Sequence, residues 1–130
     1  MQIDPAQHSV EENYKLLTNL VVPRPIAWIT SKSQDGIVNL APFSFFNAGG
    51  ADPVFLIVSI GLTDAGRLKD TARNIQSRGE FVVNLVTEDL FAAMNVSAAD
   101  FPPDISELEV TQLHTHHRSM FRFRESPNPR

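Results

Sequence analysis

Two short runs of β-branched and aromatic residues, Ile26-Ala27-Trp28-Ile29-Thr30 and Ile37-Val38-Asn39-Leu40-Ala41, flank the turn-forming triplet Gln34-Asp35-Gly36. This spacing predicts a β-hairpin. A hairpin commits the chain to antiparallel pairing, and it therefore weighs against a doubly wound parallel sheet, whose strands need long crossovers. Pro23 and Arg24-Pro25 precede the first run and force extended backbone there. Pro42 follows the second run and is expected to interrupt the ladder.

The other elements fit around this hairpin. Ser9-Val10-Glu11-Glu12 has the form of a capping box, and Tyr14, Leu16, Leu17 and Leu20 give one apolar face, so the pattern predicts a helix over residues 9–20. Gly49-Gly50 and Pro53 are expected to break the chain, and Val54 to Ile60 reads as a strand buried on both faces. After a loop from Gly61 to Gly66, Lys69 to Ser77 predicts a helix capped by Asp70 or Thr71 and ended by Gly79. Glu80 to Val86 predicts a strand, Asp89 to Val96 a short helix stopped by Phe101-Pro102-Pro103, and Leu108 to Leu113 a last strand. Five strands and three short helices imply a mainly β fold, an antiparallel sheet or small barrel.

At 130 residues the chain is sized for one domain. Its apolar runs reach about five residues against the roughly 20 that a membrane helix needs. It has no cysteine, which excludes disulfides, thiolate metal sites and cysteine nucleophiles. No signal-peptide pattern opens the chain, so a cytoplasmic location is expected. The net charge of −4 conceals an asymmetry: residues 1–110 carry seven Lys/Arg against fourteen Asp/Glu, whereas residues 111–130 carry four Arg, one Glu and three of the four His. An acidic body offers no broad attraction to nucleic acid or anionic lipid. The break near Thr111 divides a body, 1–110, from a divergent tail, 111–130.

Four segments have residue types that can do chemistry. Asn39-Leu40-Ala41-Pro42-Phe43-Ser44-Phe45-Phe46-Asn47 sets polar donors among aromatics where Pro42 should bend the strand and free backbone N–H groups, although a strand end with core phenylalanines and turn asparagines has the same sequence. Arg67-Leu68-Lys69-Asp70-Thr71-Ala72-Arg73-Asn74 clusters three cations and a hydroxyl at a helix start, where orphan N–H groups favour an anion such as phosphate; a solvated, capped helix looks no different. Thr30, Ser31 and Ser59 lie at strand ends, the first two beside the lone Trp28, for which core packing is the alternative. His114, His116 and His117 lack an acid or thiol at metal-site spacing, so no metal is expected. Glu88-Asp89 reads as a pair of helix-start acids, and no nucleophile elbow, P-loop or dinucleotide fingerprint occurs.

In order along the chain stand Arg-Pro-Ile-Ala-Trp-Ile-Thr, Asn-Leu-Ala-Pro-Phe-Ser-Phe-Phe-Asn, Pro-Val-Phe-Leu-Ile-Val-Ser-Ile-Gly, Lys-Asp-Thr-Ala-Arg-Asn-Ile and Gly-Glu-Phe-Val-Val-Asn-Leu-Val. Across residues 10–110 this series resembles the flavin reductase-like family, which includes flavoredoxin and the reductase components of two-component monooxygenases. The resemblance implies an FMN-binding split β-barrel, a homodimer with flavin near the interface, and hydride transfer from NAD(P)H to flavin. It places Trp28, Ile29, Thr30 and Ser31 beside the isoalloxazine, and Asn39, Ala41, Pro42, Phe43, Ser44, Phe45 and Asn47 against the ring and ribityl phosphate. Ser59, Lys69, Asp70 and Thr71 match positions around the phosphate.

Because the cofactors carry that chemistry, no catalytic acid or base is implied, and backbone N–H groups near Thr30 and Ala41 are expected to serve the reduced ring. An oxygenase or electron-transfer partner is implied as acceptor. An electron carrier without a nicotinamide site, or an inactive fragment, would share these motifs. Family members continue with further strands after the Glu107-Leu108-Glu109-Val110 region, so the resemblance also implies a barrel shortened at its C-terminus, with ladder edges left unpaired.

Overall fold

The computed structural model describes residues 2–115 and 121–122. Helix α1 (Val10–Leu20) starts on the expected capping box: the Ser9 hydroxyl accepts the Glu12 N–H at 3.2 Å, and the Glu12 carboxylate accepts the Ser9 N–H at 2.8 Å. Arg24 closes its other end, donating from Nη1 to the carbonyls of Thr18 and Val21 at 2.6 and 2.8 Å.

The predicted hairpin is present as β1 (Ala27–Lys32) and β2 (Val38–Phe43), paired in register from Ala27–Phe43 to Lys32–Val38. With β5 (Glu80–Asn84) and β6 (Phe121–Arg122) they form an antiparallel sheet in the order β2-β1-β5-β6. Alternation along β1 splits the core in two. Ala27 and Ile29 pack with Ile75 of helix α2 (Asp70–Arg78), while Trp28 packs on the other face with Leu40 and with Met94 of helix α3 (Phe91–Val96). Helix α2 ends as anticipated at Gly79, whose φ of 70° is the left-handed cap that glycine adopts without strain.

Several expectations are corrected. Pro42 does not interrupt the ladder; it pairs with Trp28 inside β2. The reason is parity: the Leu40 N–H points away from β1, to the Glu107 carboxylate at 2.9 Å, so the same outward position two residues on needs no donor. Gly49-Gly50 lie within strand β3 (Phe46–Ala51), at a bulge, and the Phe55 ring lies so close over both that a β-carbon on either would clash with it. Among the described residues strand β4 (Val54–Val58) pairs only with β3, in a separate two-stranded sheet, and these residues do not bury it on both faces. Val54 is 76% exposed and Phe55 and Ile57 are also open, while Val58 packs against the Ala27–Ile29 core.

Leu108–Leu113 is not a strand: helix α4 spans Glu107–Thr111. It runs along the outer edge of β2, where Ser106 donates its hydroxyl to the Val38 carbonyl at 2.6 Å and Glu107 takes the Leu40 N–H. These two bonds satisfy an otherwise open strand edge. Neither Asp70 nor Thr71 caps α2; Lys69 holds the cap position with no side-chain hydrogen bond. Among the described residues no helix is long and apolar enough to cross a membrane. Of the histidine cluster, His116 and His117 lie outside the described residues.

Candidate functional site

The start of α2 is tied to the hairpin by two buried side-chain bonds. Asn39 donates from Nδ2 to the Thr71 hydroxyl at 2.8 Å, and Asn74 donates to the Ser31 hydroxyl at 3.2 Å. All four residues are buried, Thr71 to 1% exposure, so this joint fixes the helix end against β2. In front of it opens a cleft of about 450 Å³, walled by Asn39, Ala41, Pro42 and Phe43 of β2, by the Thr63–Arg67 loop, by Lys69, Asp70, Thr71 and Arg73, and by the α3–α4 loop from Ser97 to Pro103.

The cleft holds an anion-seeking helix terminus. Lys69 leaves the first turn of α2 without a side-chain acceptor, and Asp70, the acid of that turn, is bonded instead to Arg73. Arg67, Lys69 and Arg73 supply positive charge at the wall. Acids stand among them: Lys69 Nζ lies 3.5 Å from Asp100 Oδ1, and Asp64 and Glu107 also line the cleft. Glu107 is 6% exposed, and burial pushes its carboxyl above the usual range. The Leu40 N–H pulls the other way, while the nearby charge of Asp70 adds to the rise.

The residues expected to contact a flavin therefore fall into four groups. Asn39, Ala41, Pro42, Phe43, Lys69, Asp70 and Thr71 share the cleft. Trp28, Ile29 and Ser31 are buried, with the Trp28 indole N–H donating to the Ser97 hydroxyl at 2.9 Å and Ser97 donating on to the Met94 carbonyl at 2.8 Å. Thr30 accepts from Asn84 at 2.8 Å and faces a second cavity. Ser44, Phe45, Asn47 and Ser59 line neither space; Phe45 stacks obliquely on Tyr14 of α1, with centroids 5.8 Å apart, and accepts the Ser59 N–H at 2.9 Å. The backbone donors anticipated at Thr30 and Ala41 are used within the sheet: the register turns the Ala41 N–H toward Ile29 and the Thr30 N–H toward Val82.

The second cavity, about 740 Å³, lies on the Trp28–Thr30 face among Leu40, Leu85, Leu90, Leu108, Leu113 and His114. It is larger, and its walls mix the Trp28 core residues Leu40, Leu90, Leu108 and Leu113 with polar Thr30, Lys32, Glu80, Asn84 and His114, but it is the cleft that takes in the uncapped first turn of α2, where an anion is favoured. The 450 Å³ cleft is the stronger site. Sequence reasoning missed Ser97, Asp100 and Glu107 in it. Ser106-x-x-Glu109 carries the spacing of a helix start, a signal that would have placed Glu107 on a helix rather than before a strand.

Comparison with known proteins adds an independent line. The sequence profile described as a flavin reductase-like domain matches residues 19–127. An uncharacterized protein of Halalkalibacterium halodurans is 49% identical over 113 residues, covering 87% of this chain and 54% of that protein. The crystal structure of nitrilotriacetate monooxygenase component B from Bacillus cereus is 43% identical, with a TM-score of 0.81 over 86% of this chain and 55% of that one. A putative flavin reductase with a split barrel domain from Shewanella frigidimarina shares the fold, with a TM-score of 0.71 at 20% identity, covering 92% of this chain and 59% of that one. The chain spans about half the length of the curated relatives it matches.

Proposed function

The chain belongs to the flavin reductase-like family, with its split-barrel fold, and on that premise we propose that it binds FMN and acts as an NAD(P)H-dependent flavin oxidoreductase. The observation that carries this reading is the uncapped first turn of α2, held against β2 by the Asn39–Thr71 bond and flanked by Lys69. Such a terminus suits a phosphate, and FMN has one that riboflavin lacks. The residues present fit the group: Lys69 and Thr71 would hold the phosphate, and Asn39, Ala41, Pro42 and Phe43 would form the wall beside the rest of the molecule. Ser44, Phe45, Asn47 and Ser59 complete the proposed set on the family pattern alone.

Bound FMN supplies the redox chemistry, accepting hydride from a nicotinamide. The protein's part is to bind, orient and exclude water, and no side chain is assigned a proton-transfer role. Two further readings accompany this one. The exposed apolar residues of β3–β4, Val54, Phe55 and Ile57, support a homodimer. The likeness to a protein named as a monooxygenase component supports an oxygenase as electron acceptor.

The test is the visible spectrum of the purified protein after reconstitution with FMN, taken before and after adding NADH or NADPH. Retained flavin absorbance that bleaches with either nicotinamide is the expected result. Protein that takes up no FMN contradicts the proposal outright. Flavin that stays bound but unbleached would instead make the chain an electron carrier.

A further inference from the structure

The cleft carries more negative than positive side chains at its wall: Asp64, Asp70, Asp100 and Glu107 against Arg67, Lys69 and Arg73. For a place that is to receive an anion this balance is unexpected, but three of these four acids are already engaged. Asp70 is committed to Arg73 within α2, and Glu107 to the Leu40 N–H. Asp100 is different. It stands outside α2, on the loop between α3 and α4, and its carboxylate is the one that reaches Lys69, at 3.5 Å.

That loop is pinned at both ends by buried serines. Ser97 takes the Trp28 indole N–H, and Ser106 gives its hydroxyl to the Val38 carbonyl. Between these anchors Pro102-Pro103 restricts the backbone. The loop thus forms one wall of the cleft, with the Asp100 carboxylate beside the Lys69 ammonium at the start of α2. The Lys69 and Asp100 side chains are 38% and 79% exposed, so their pair is of the weak, solvent-screened kind. A weak pair at this point is readily exchanged for a better anion.

We infer that Asp100 sets the affinity of the cleft for a phosphate monoester: it neutralises Lys69 while the cleft is empty, and an entering phosphate displaces it. This rests on the phosphate reading of the α2 terminus and adds to it a residue that opposes binding. A dianion outcompetes one carboxylate because it also meets the uncapped first turn of α2, which Asp100 does not cap. The consequence is a ligand that exchanges rather than one that is held permanently. Specificity follows as well, since a neutral group at the same place has no charge with which to displace Asp100.

The experiment compares FMN with riboflavin, by fluorescence titration at low and high salt, for the full chain and for Asp100→Asn, Asp100→Glu and Lys69→Ala. Asp100→Asn should bind FMN about two- to fivefold more tightly at low salt, an advantage that shrinks at high salt. Its riboflavin affinity should not change, and Asp100→Glu, which keeps the charge, should behave as the parent. If Lys69→Ala weakens FMN binding selectively while Asp100→Asn leaves it unaltered or weaker, the role of Asp100 is overturned and the phosphate reading stands. If Lys69→Ala changes FMN and riboflavin binding alike, the phosphate reading fails and the role of Asp100 falls with it. Tighter binding of both ligands by Asp100→Asn would also overturn the inference, because the effect would then not act on the phosphate.

Discussion

At the scale of single residues, the buried polar groups decide most. Trp28 was legible as a core residue from its place in an apolar strand, but the partner of its N–H was not, because Ser97 is 69 positions away and looks like any loop serine. Ser97→Ala leaves that indole N–H without an acceptor in a buried place and should cost about 1–3 kcal/mol, measured by urea unfolding. Glu107 gives a pH-dependent prediction. Its pKa is raised in the folded state by burial, so the folded protein keeps this proton to higher pH than the unfolded chain does. Stability from this group is therefore full below the ordinary glutamate range and is lost as pH rises through the folded pKa. Glu107→Gln keeps an acceptor for the Leu40 N–H and removes the titration. Thermal melts should show the variant gaining on the parent as pH rises above the ordinary glutamate range, the direction that an upward shift dictates.

At the scale of elements, local signals read well wherever local physics governs. The capping box at Ser9 and the left-handed Gly79 end placed α1 and α2 to within a residue or two. The hairpin turn did the same for β1 and β2. What escaped was tertiary. Val110 and Thr111 favour strand, yet Ser106 and Glu107 bind the β2 edge and hold the segment as helix α4. The apolar run of β4 suggested two covered faces, but burial depends on neighbours in space, and among the described residues β4 has one paired strand. The joint between α2 and β2 is a sharper test of the site. Thr71→Val removes the acceptor of the buried Asn39 amide and should cost about 1–3 kcal/mol in unfolding free energy. By loosening the α2 terminus it should also weaken FMN binding more than riboflavin binding.

At the scale of the whole molecule, the family and the antiparallel architecture were legible, because five motifs in order specify a fold that none specifies alone. The division of site residues between two faces of one sheet was not, since it follows from strand alternation once register is known. The open apolar surface of β3–β4 belongs to this scale too. If it joins two copies, sedimentation should give the mass of two chains, and Ile57→Asp should shift the protein toward one chain without lowering its melting temperature by more than a few degrees. If FMN binds as proposed, its phosphate enters the cleft at the start of α2 and not the larger cavity on the Trp28–Thr30 face. Amide chemical shifts of isotope-labelled protein, followed while FMN is added, separate the two. The account predicts the largest changes at Asn39 and over Lys69 to Arg73, with riboflavin leaving the α2 amides little moved; changes concentrated at Leu85, Leu113 and His114 would contradict it.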